Sequence, residues 1–203
     1  MSERLVALTF DAEHPSRTPS RADGADRILN ALGLAGAIAT FFVQGRWATA
    51  YPETARRIAT EGHRIGNHSN YHAPMTLLSP EGIQADVKAA ERRIVDVTGA
   101  DPRPWFRCPF GEGADRHDIL DALRSAGYRN AGWDVDSQDW EPGSSREGVT
   151  ARVLVGLERG AGSGVVLFHT WPASASGALP AILERLRDGG ASFVTIEEVA
   201  GEP

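Results

Sequence analysis

Disulfides play no part in this protein. Cys108 is the one cysteine in 203 residues, so no intramolecular bridge can form and the fold must be held by its core. Long apolar runs are missing too. Nothing approaches the roughly 20 consecutive apolar residues of a membrane-spanning helix. The run Leu5-Val6-Ala7-Leu8-Thr9-Phe10 is shorter than a signal-peptide core and no small-residue cleavage site follows it. The expectation is a cytoplasmic protein, although a chain trimmed of a leader reads the same. Basic residues are in the minority, 21 Lys and Arg against 27 Asp and Glu, for a formal charge of −6. Nucleic acids and anionic membranes require a basic face, so neither is expected as a partner. Oligomeric state is not legible. Repeats, low-complexity tracts and linkers are absent.

What remains is an ordinary globular composition, 41% hydrophobic and 24% charged. The length suits one domain, residues 1–203, able to bury its own core. Short apolar runs alternate with amphipathic stretches. Strands are predicted over residues 5–10, 37–43, 64–67, 104–107, 128–135, 165–169 and 192–196, and helices over 26–34, 52–61, 80–98, 118–126, 146–158 and 179–188. Ser79-Pro80-Glu81 reads as a helix start and Gly99 as its stop. About seven strands alternating with helices imply a parallel sheet covered by helices. Propensity does not separate an open doubly wound sheet from a barrel.

The unusual polar residues fall at the C-terminal ends of the predicted strands. Asp11 and Glu13 follow the first, His68 and His72 the third, Arg107 ends the fourth, Asp134, Asp136 and Asp139 follow the fifth, and His169 ends the sixth. In barrels and open α/β sheets alike, that rim is where ligands bind.

Several groupings there can carry chemistry. His68-Ser69-Asn70-Tyr71-His72 sets two imidazoles four residues apart, which on one helical turn share a face and suit two ligands of one ion. Taken alone, two exposed loop histidines fit the pattern equally well. A catalytic metal usually has three protein ligands, and Asp11-Ala12-Glu13 offers carboxylates that point the same way if strand geometry persists past Phe10. Alone, that triplet reads as a turn cluster. Arg107-Cys108-Pro109-Phe110-Gly111 is a rigid turn whose arginine can orient a carboxylate and whose N–H groups can face an oxyanion. Cys108 lacks a paired base and reads as a packing residue. His169, given Asp139 as partner, can serve as a general acid. Trp133, Trp140, Trp171, Tyr71 and Phe110 lie near the same rim, where exposed rings suit stacking against sugars.

Read in order, these segments resemble the five motifs of the NodB-homology polysaccharide deacetylases, carbohydrate esterase family 4. Thr9-Phe10-Asp11 resembles the first, His68-Ser69-Asn70-Tyr71-His72 the second, Arg107-Cys108-Pro109-Phe110 the third, Asp136-Ser137-Gln138-Asp139-Trp140 the fourth and Leu167-Phe168-His169 the fifth. The resemblance implies an α/β fold of distorted (β/α)7 barrel type. It implies that Asp11 is the catalytic base, His68 and His72 metal ligands, and Arg107 the residue orienting Asp11. It makes His169 a general acid tuned by Asp139, with Trp140 and Leu167 lining the pocket for the acetyl methyl group. Phe110 and Tyr71 join them as expected substrate-pocket residues. The implied cofactor is a divalent metal, zinc foremost, and the implied substrate an N-acetylglucosamine-containing saccharide.

One position departs from the family. Its first motif usually carries two adjacent aspartates, the second a metal ligand, and here that place is Ala12. Some relatives carry the ligand one residue later, where this chain has Glu13. The expectation is that Glu13 replaces the missing aspartate, directly or through water. His14 and a two-histidine site with extra water are the alternatives, the last disfavoured because two neutral imidazoles alone hold a dication weakly. Three rival functions stand beside deacetylation. These are hydrolysis of a non-sugar amide or cyclic imide, a metal-free glycosidase using a pair from Asp134, Asp136, Asp139 and Glu141, and a metal-free module that binds sugar without turnover.

Overall fold

The computed structural model describes residues 4–14 and 23–200. Its organising element is the first strand, β1 (Arg4–Ala12), in which side chains alternate between two unlike environments. Val6, Leu8, Phe10 and Ala12 join the large apolar layer between sheet and helices. Ala7 belongs instead to a separate cluster with Phe42, Trp105, Val165, Val194 and Ile196. Period-two alternation thus gives one face of β1 to the helix layer and the other, Ala7, Thr9 and Asp11, to the barrel interior.

The chain continues through α1 (Asp23–Ala35), β2 (Thr40–Val43), α2 (Gly45–Ala50), α3 (Pro52–Thr60), β3 (Arg64–Asn67), α4 (Pro80–Thr98), β4 (Trp105–Phe106), α5 (His117–Ser125) and β5 (Arg129–Asn130). It ends with β6 (Val135–Asp136), α6 (Arg146–Arg159), β7 (Gly164–His169), α7 (Ala173–Asp188), β8 (Ala191–Val194) and α8 (Ile196–Ala200). The strands run in the spatial order β5-β4-β3-β2-β1-β7-β6, with β8 off this path against β1. Every pairing is parallel. This is the distorted (β/α)7 barrel, a curved path of seven strands covered by helices. No described helix is long and apolar enough to cross a membrane.

Four elements differ from the sequence expectation, one of them the short α8, which begins where the last strand was expected to end. Residues 128–135, expected as one strand, form β5 and β6 at opposite ends of the strand path. The chain leaves β4 after Ala131 N donates to Phe106 O at 2.7 Å and joins β7 where Asp134 N donates to Val165 O at 2.9 Å. The residues between therefore span the seam, and a stretch that reads as one strand is divided between the two ladders it serves. Helix α7 begins at Ala173, before the expected start at Leu179, and carries Pro180 inside it. Its buried stripe of Ala175, Ala178, Leu179, Ile182, Leu183 and Leu186 runs through the proline, so packing outweighs the lost N–H. Helix α2, not expected at all, is six residues long and opens on glycine.

That glycine has a packing reason. A Cβ at Gly45 would stand 2.7 Å from the Ala90 Cα of α4 and 2.7 Å from Asn70 Oδ1. Gly45 N also donates to Ser69 O at 3.0 Å, so close approach of α2 to α4 braces the loop after β3. Gly45→Ala forces those backbones apart and is expected to cost about 1–3 kcal/mol, measured by denaturant unfolding. An unchanged midpoint would show that the loop and α4 yield freely.

Candidate active site

Glu13 lies one residue past the end of β1, and alternation carries it to the interior side with Asp11 while Ala12 packs in the helix layer. The carboxylate is a hub. Its Oε2 contacts His72 Nε2 and lies 3.3 Å from His68 Nε2. Its Oε1 accepts from Trp171 Nε1 at 3.1 Å and lies 3.2 Å from His14 Nε2. Burial pushes the Glu13 carboxyl up, but hydrogen bonds from His14, His68 and His72, with the charge of His169 beyond, outweigh burial and hold it well below the usual range.

The two histidines do not share a helical turn. Residues 68–72 are a loop in which Ser69 (φ 66°) and His72 (φ 58°) take the left-handed conformation. Side chains set that path. Asn67 Oδ1 accepts from Ser69 N at 2.9 Å and Ser69 Oγ from His72 N at 2.8 Å. The buried Asp86 of α4 accepts from Asn70 N at 2.8 Å and from Tyr71 N at 3.2 Å. His68 Nδ1 donates to Arg107 O at 2.9 Å, which leaves Nε2 as the atom facing the group. His72 Nδ1 is buried with no hydrogen-bond partner among the described residues. Burial lowers His68, yet the charge of Asp11 and the bond to Glu13 raise it on balance. Burial prevails for His72, which is lowered.

Glu13, His68 and His72 bring one donor atom each within 4.8 Å of one another, and the two Nε2 atoms are 3.1 Å apart. Bonds of 2.0–2.1 Å to a tetrahedral ion put neighbouring donors roughly 3.3 Å apart. Two imidazoles and a carboxylate at this spacing suit a divalent cation. His14 is outside the set, so its ring is a neighbour of Glu13 rather than a replacement for it.

Two further pairs flank this group. Arg107 is buried on the interior side, its guanidinium 4.0 Å from the centre of the Phe42 ring. Nη1 donates to Asp11 Oδ1 at 2.9 Å and to Thr9 Oγ1 at 2.8 Å. Nε and Nη2 donate to Ala131 O and Gly132 O at 3.2 and 3.0 Å, so one side chain both orients Asp11 and satisfies the seam. The other Asp11 oxygen, Oδ2, lies 3.5 Å from His68 Nε2. Across the cleft, His169 Nδ1 donates to Asp139 Oδ1 at 2.8 Å, while Asp139 Oδ2 accepts from His169 N at 2.8 Å. Burial alone would lower His169. The Asp139 carboxylate first, then Glu13 and Asp11, reverse this and push it up to about 9.

Asp11, Glu13, His68, His72 and His169 line one cleft of about 320 Å³, with Phe110, Trp140 and Leu167 on its walls and Arg107 and Asp139 behind their partners. Trp133, Trp171, His14 and Asp136 line it as well. Tyr71 does not line it. Its ring is 62% exposed, with the Arg46 guanidinium 5.8 Å from its centre, because the strained loop turns residue 71 outward. Burial pushes the Cys108 thiol up to about 12, consistent with a packing role. Among the carboxylates that suggested a glycosidase, Asp136 Oδ1 accepts from Gln138 N at 2.8 Å. Asp134 Oδ2 accepts from Val165 N at 2.7 Å, Asp139 is taken up by His169, and Glu141 is exposed. Asp86 was missed in the sequence, since nothing in a helical aspartate signals that it caps a loop 15 residues away.

Asp86→Ala removes the acceptor of two N–H groups in a buried loop. It is expected to cost about 2–3 kcal/mol, in the range for hydrogen bonds to a charged group, and to weaken divalent-metal binding. Denaturant unfolding and a metal titration check both, and wild-type values in both would mean that the loop holds its own shape.

Comparison with known proteins accords with this geometry. A family model described as polysaccharide deacetylase matches residues 1–131. A peptidoglycan-N-acetylglucosamine deacetylase of Listeria monocytogenes is 31% identical over 99% of this chain, which spans 40% of that protein's length. The structure of a family 4 carbohydrate esterase from Streptomyces lividans in complex with acetate superposes with a TM-score of 0.83 at 29% identity, covering 98% of this chain and 95% of that one. A pseudoenzyme of the same esterase family from Bacillus anthracis superposes at 0.86 with 26% identity, covering 98% of this chain and 66% of that one. Since the family match spans most of the chain and the five segments meet in one cleft, the protein belongs to the NodB-homology polysaccharide deacetylases, carbohydrate esterase family 4.

Proposed function

We propose that this protein is a zinc-dependent deacetylase that hydrolyses the acetamide of N-acetylglucosamine-containing saccharides. One observation carries the reading: a carboxylate–arginine pair, a two-histidine-plus-glutamate donor set and a histidine–aspartate pair meet in a single cleft. The Listeria relative acts on peptidoglycan N-acetylglucosamine and the Streptomyces neighbour was captured with acetate, which supports an acetylated saccharide.

Glu13, His68 and His72 would hold the ion, and zinc suits two imidazoles and one carboxylate. When bound, it supplies Lewis-acid polarisation of the amide carbonyl and acidification of water. Asp11 takes the proton of the attacking water. Arg107 fixes its Oδ1 and leaves Oδ2, on the His68 side, to accept that proton. Phe110 is on the cleft wall, and its backbone N–H is assigned as the donor to the developing oxyanion. The bond from Nδ1 to Asp139 turns Nε2 of His169 into the cleft as the donor to the departing amine, a poor leaving group without that proton. Leu167 and Trp140 receive the methyl group. The pseudoenzyme neighbour makes sugar binding without turnover the alternative. The donor set argues for catalysis, because Glu13 supplies the carboxylate that Ala12 cannot.

Acetate release from chito-oligosaccharides, abolished by a chelator and restored by zinc, tests this reading. His169→Ala is expected to lower kcat by about 10²–10⁴-fold and to retain its metal by elemental analysis. Saccharide binding without acetate release in zinc-replete buffer would leave only the binding role, and turnover of a cyclic imide without acetate release would move the substrate class.

The His169–Asp139 pair also fixes a pH signature. An acid catalyst is lost as pH rises through its pKa, and the Asp139 carboxylate raises that of His169. Asp139→Asn removes the stabilising charge, so the alkaline limb of the kcat/KM profile is expected to move to lower pH. A limb that stays in place would assign it to another group.

A further inference from the structure

The chain presents its third donor from an unusual position, and two side chains outside the five motifs hold that donor still. Glu13 has one more rotatable bond than an aspartate, and it stands beyond the last residue of β1, where no strand pairing fixes it. Its two oxygens are nevertheless treated differently. Oε2 faces the imidazoles of His68 and His72. Oε1 is turned away from them and accepts the indole N–H of Trp171 at 3.1 Å, with His14 Nε2 3.2 Å away.

Both partners are themselves anchored. Trp171 follows directly after Thr170, whose N–H donates to Asp11 O at 3.1 Å. The segment after β7 is thereby tied to the end of β1. His14 is held in the left-handed conformation at φ 54°, with its N–H donated to Gln44 Oε1 at 3.2 Å. Gln44 is buried, and its own N–H donates to Ala12 O at 3.0 Å. The His14 ring packs edge-on against His72, 4.6 Å between centres. Trp171 is thus anchored on the β7 side of β1, and His14, the residue after Glu13, is anchored on the β2 side through Gln44.

We propose that Trp171 and His14 are positioning residues that hold Oε1 of Glu13, so that the carboxylate meets the divalent cation through Oε2 alone. The proposal rests on the reading of Glu13 as a ligand. It explains how a glutamate two residues after Asp11 can do the work of an aspartate one residue after it. The longer side chain reaches the ion, and the indole and imidazole remove the freedom that its length brings. Partners that orient a metal ligand typically set roughly 10- to 100-fold of its affinity.

The test is zinc affinity, read by competition with a chromophoric chelator on metal-free protein at fixed pH, together with melting of the metal-free proteins. Trp171→Phe keeps an aromatic ring and removes the N–H. It is expected to raise the zinc Kd roughly 10- to 100-fold while the metal-free melting temperature holds, a split that a purely structural role would not produce. A wild-type Kd in Trp171→Phe, with zinc binding lost in Glu13→Ala, would overturn the clamp and leave Glu13 as a ligand. A wild-type Kd in Glu13→Ala would overturn the ligand reading and the clamp with it. Should Trp171→Phe fail to fold, His14→Ala addresses the same oxygen by the same measurement. A raised zinc Kd there supports the clamp, and a wild-type Kd overturns it.

Discussion

Three buried carboxylates at one end of a barrel are tolerable only because every oxygen among them lies against a guanidinium, an indole, an imidazole or a backbone N–H. Asp11 sits against Arg107 and His68, Glu13 against Trp171, His14, His68 and His72, and Asp139 against both the ring and the backbone of His169. Removing water from such charges is costly unless pairing and hydrogen bonds replace it. The cluster is also unbalanced in a useful sense. With His68 and His72 neutral, three carboxylates face two cations, Arg107 and a protonated His169. The surplus negative charge falls at Glu13, where the imidazole lone pairs converge. Against burial, the charge of Asp11 and the bond to Glu13 raise His68 there, so a metal ion and a proton would compete for the same place.

Arg107 links this electrostatic requirement to the fold. Among the described residues no strand pair joins β5 and β6, and the residues crossing between them present carbonyls to the interior. Arg107 donates to two of these and to Asp11 with one planar group. Lysine, a point charge on a flexible stem, has no equivalent fork. The orientation of Asp11 and the bridging of the open seam are thus one contact set.

The parts legible in the sequence were those with a fixed relation between spacing and direction. Strand-end placement located Asp11, His68, Arg107 and His169, and period-two alternation put Glu13 on the side of Asp11. The parts that were not legible depend on contacts made far along the chain. The loop of residues 68–72 lacks helical geometry because Asp86, Asn67 and Ser69 claim its N–H groups. Its histidines meet through left-handed turns rather than through a helical repeat, and the same turns carry Tyr71 out of the cleft. Residues 128–135 read as one strand but are divided between two ladders, and α7 extends through Pro180 because its buried stripe does. In each case tertiary pairing overrode a local signal.

Ala12 brings these points together. In a family whose first motif usually presents two adjacent carboxylates, an alanine there reads first as a loss of function. In this chain β1 keeps regular pairing with β2 through Ala12, and the residue packs with Val6, Leu8 and Phe10 in the helix layer. A strand that stays regular to that point must direct its next side chain back to the interior, so the carboxylate at position 13 is the one that can reach the imidazoles. A strand regular through Ala12 thus removes that position from the cleft and, on the proposed reading, makes position 13 the source of the third donor. The remaining difference in reach is met by the extra methylene of glutamate and by the two groups that hold its outer oxygen.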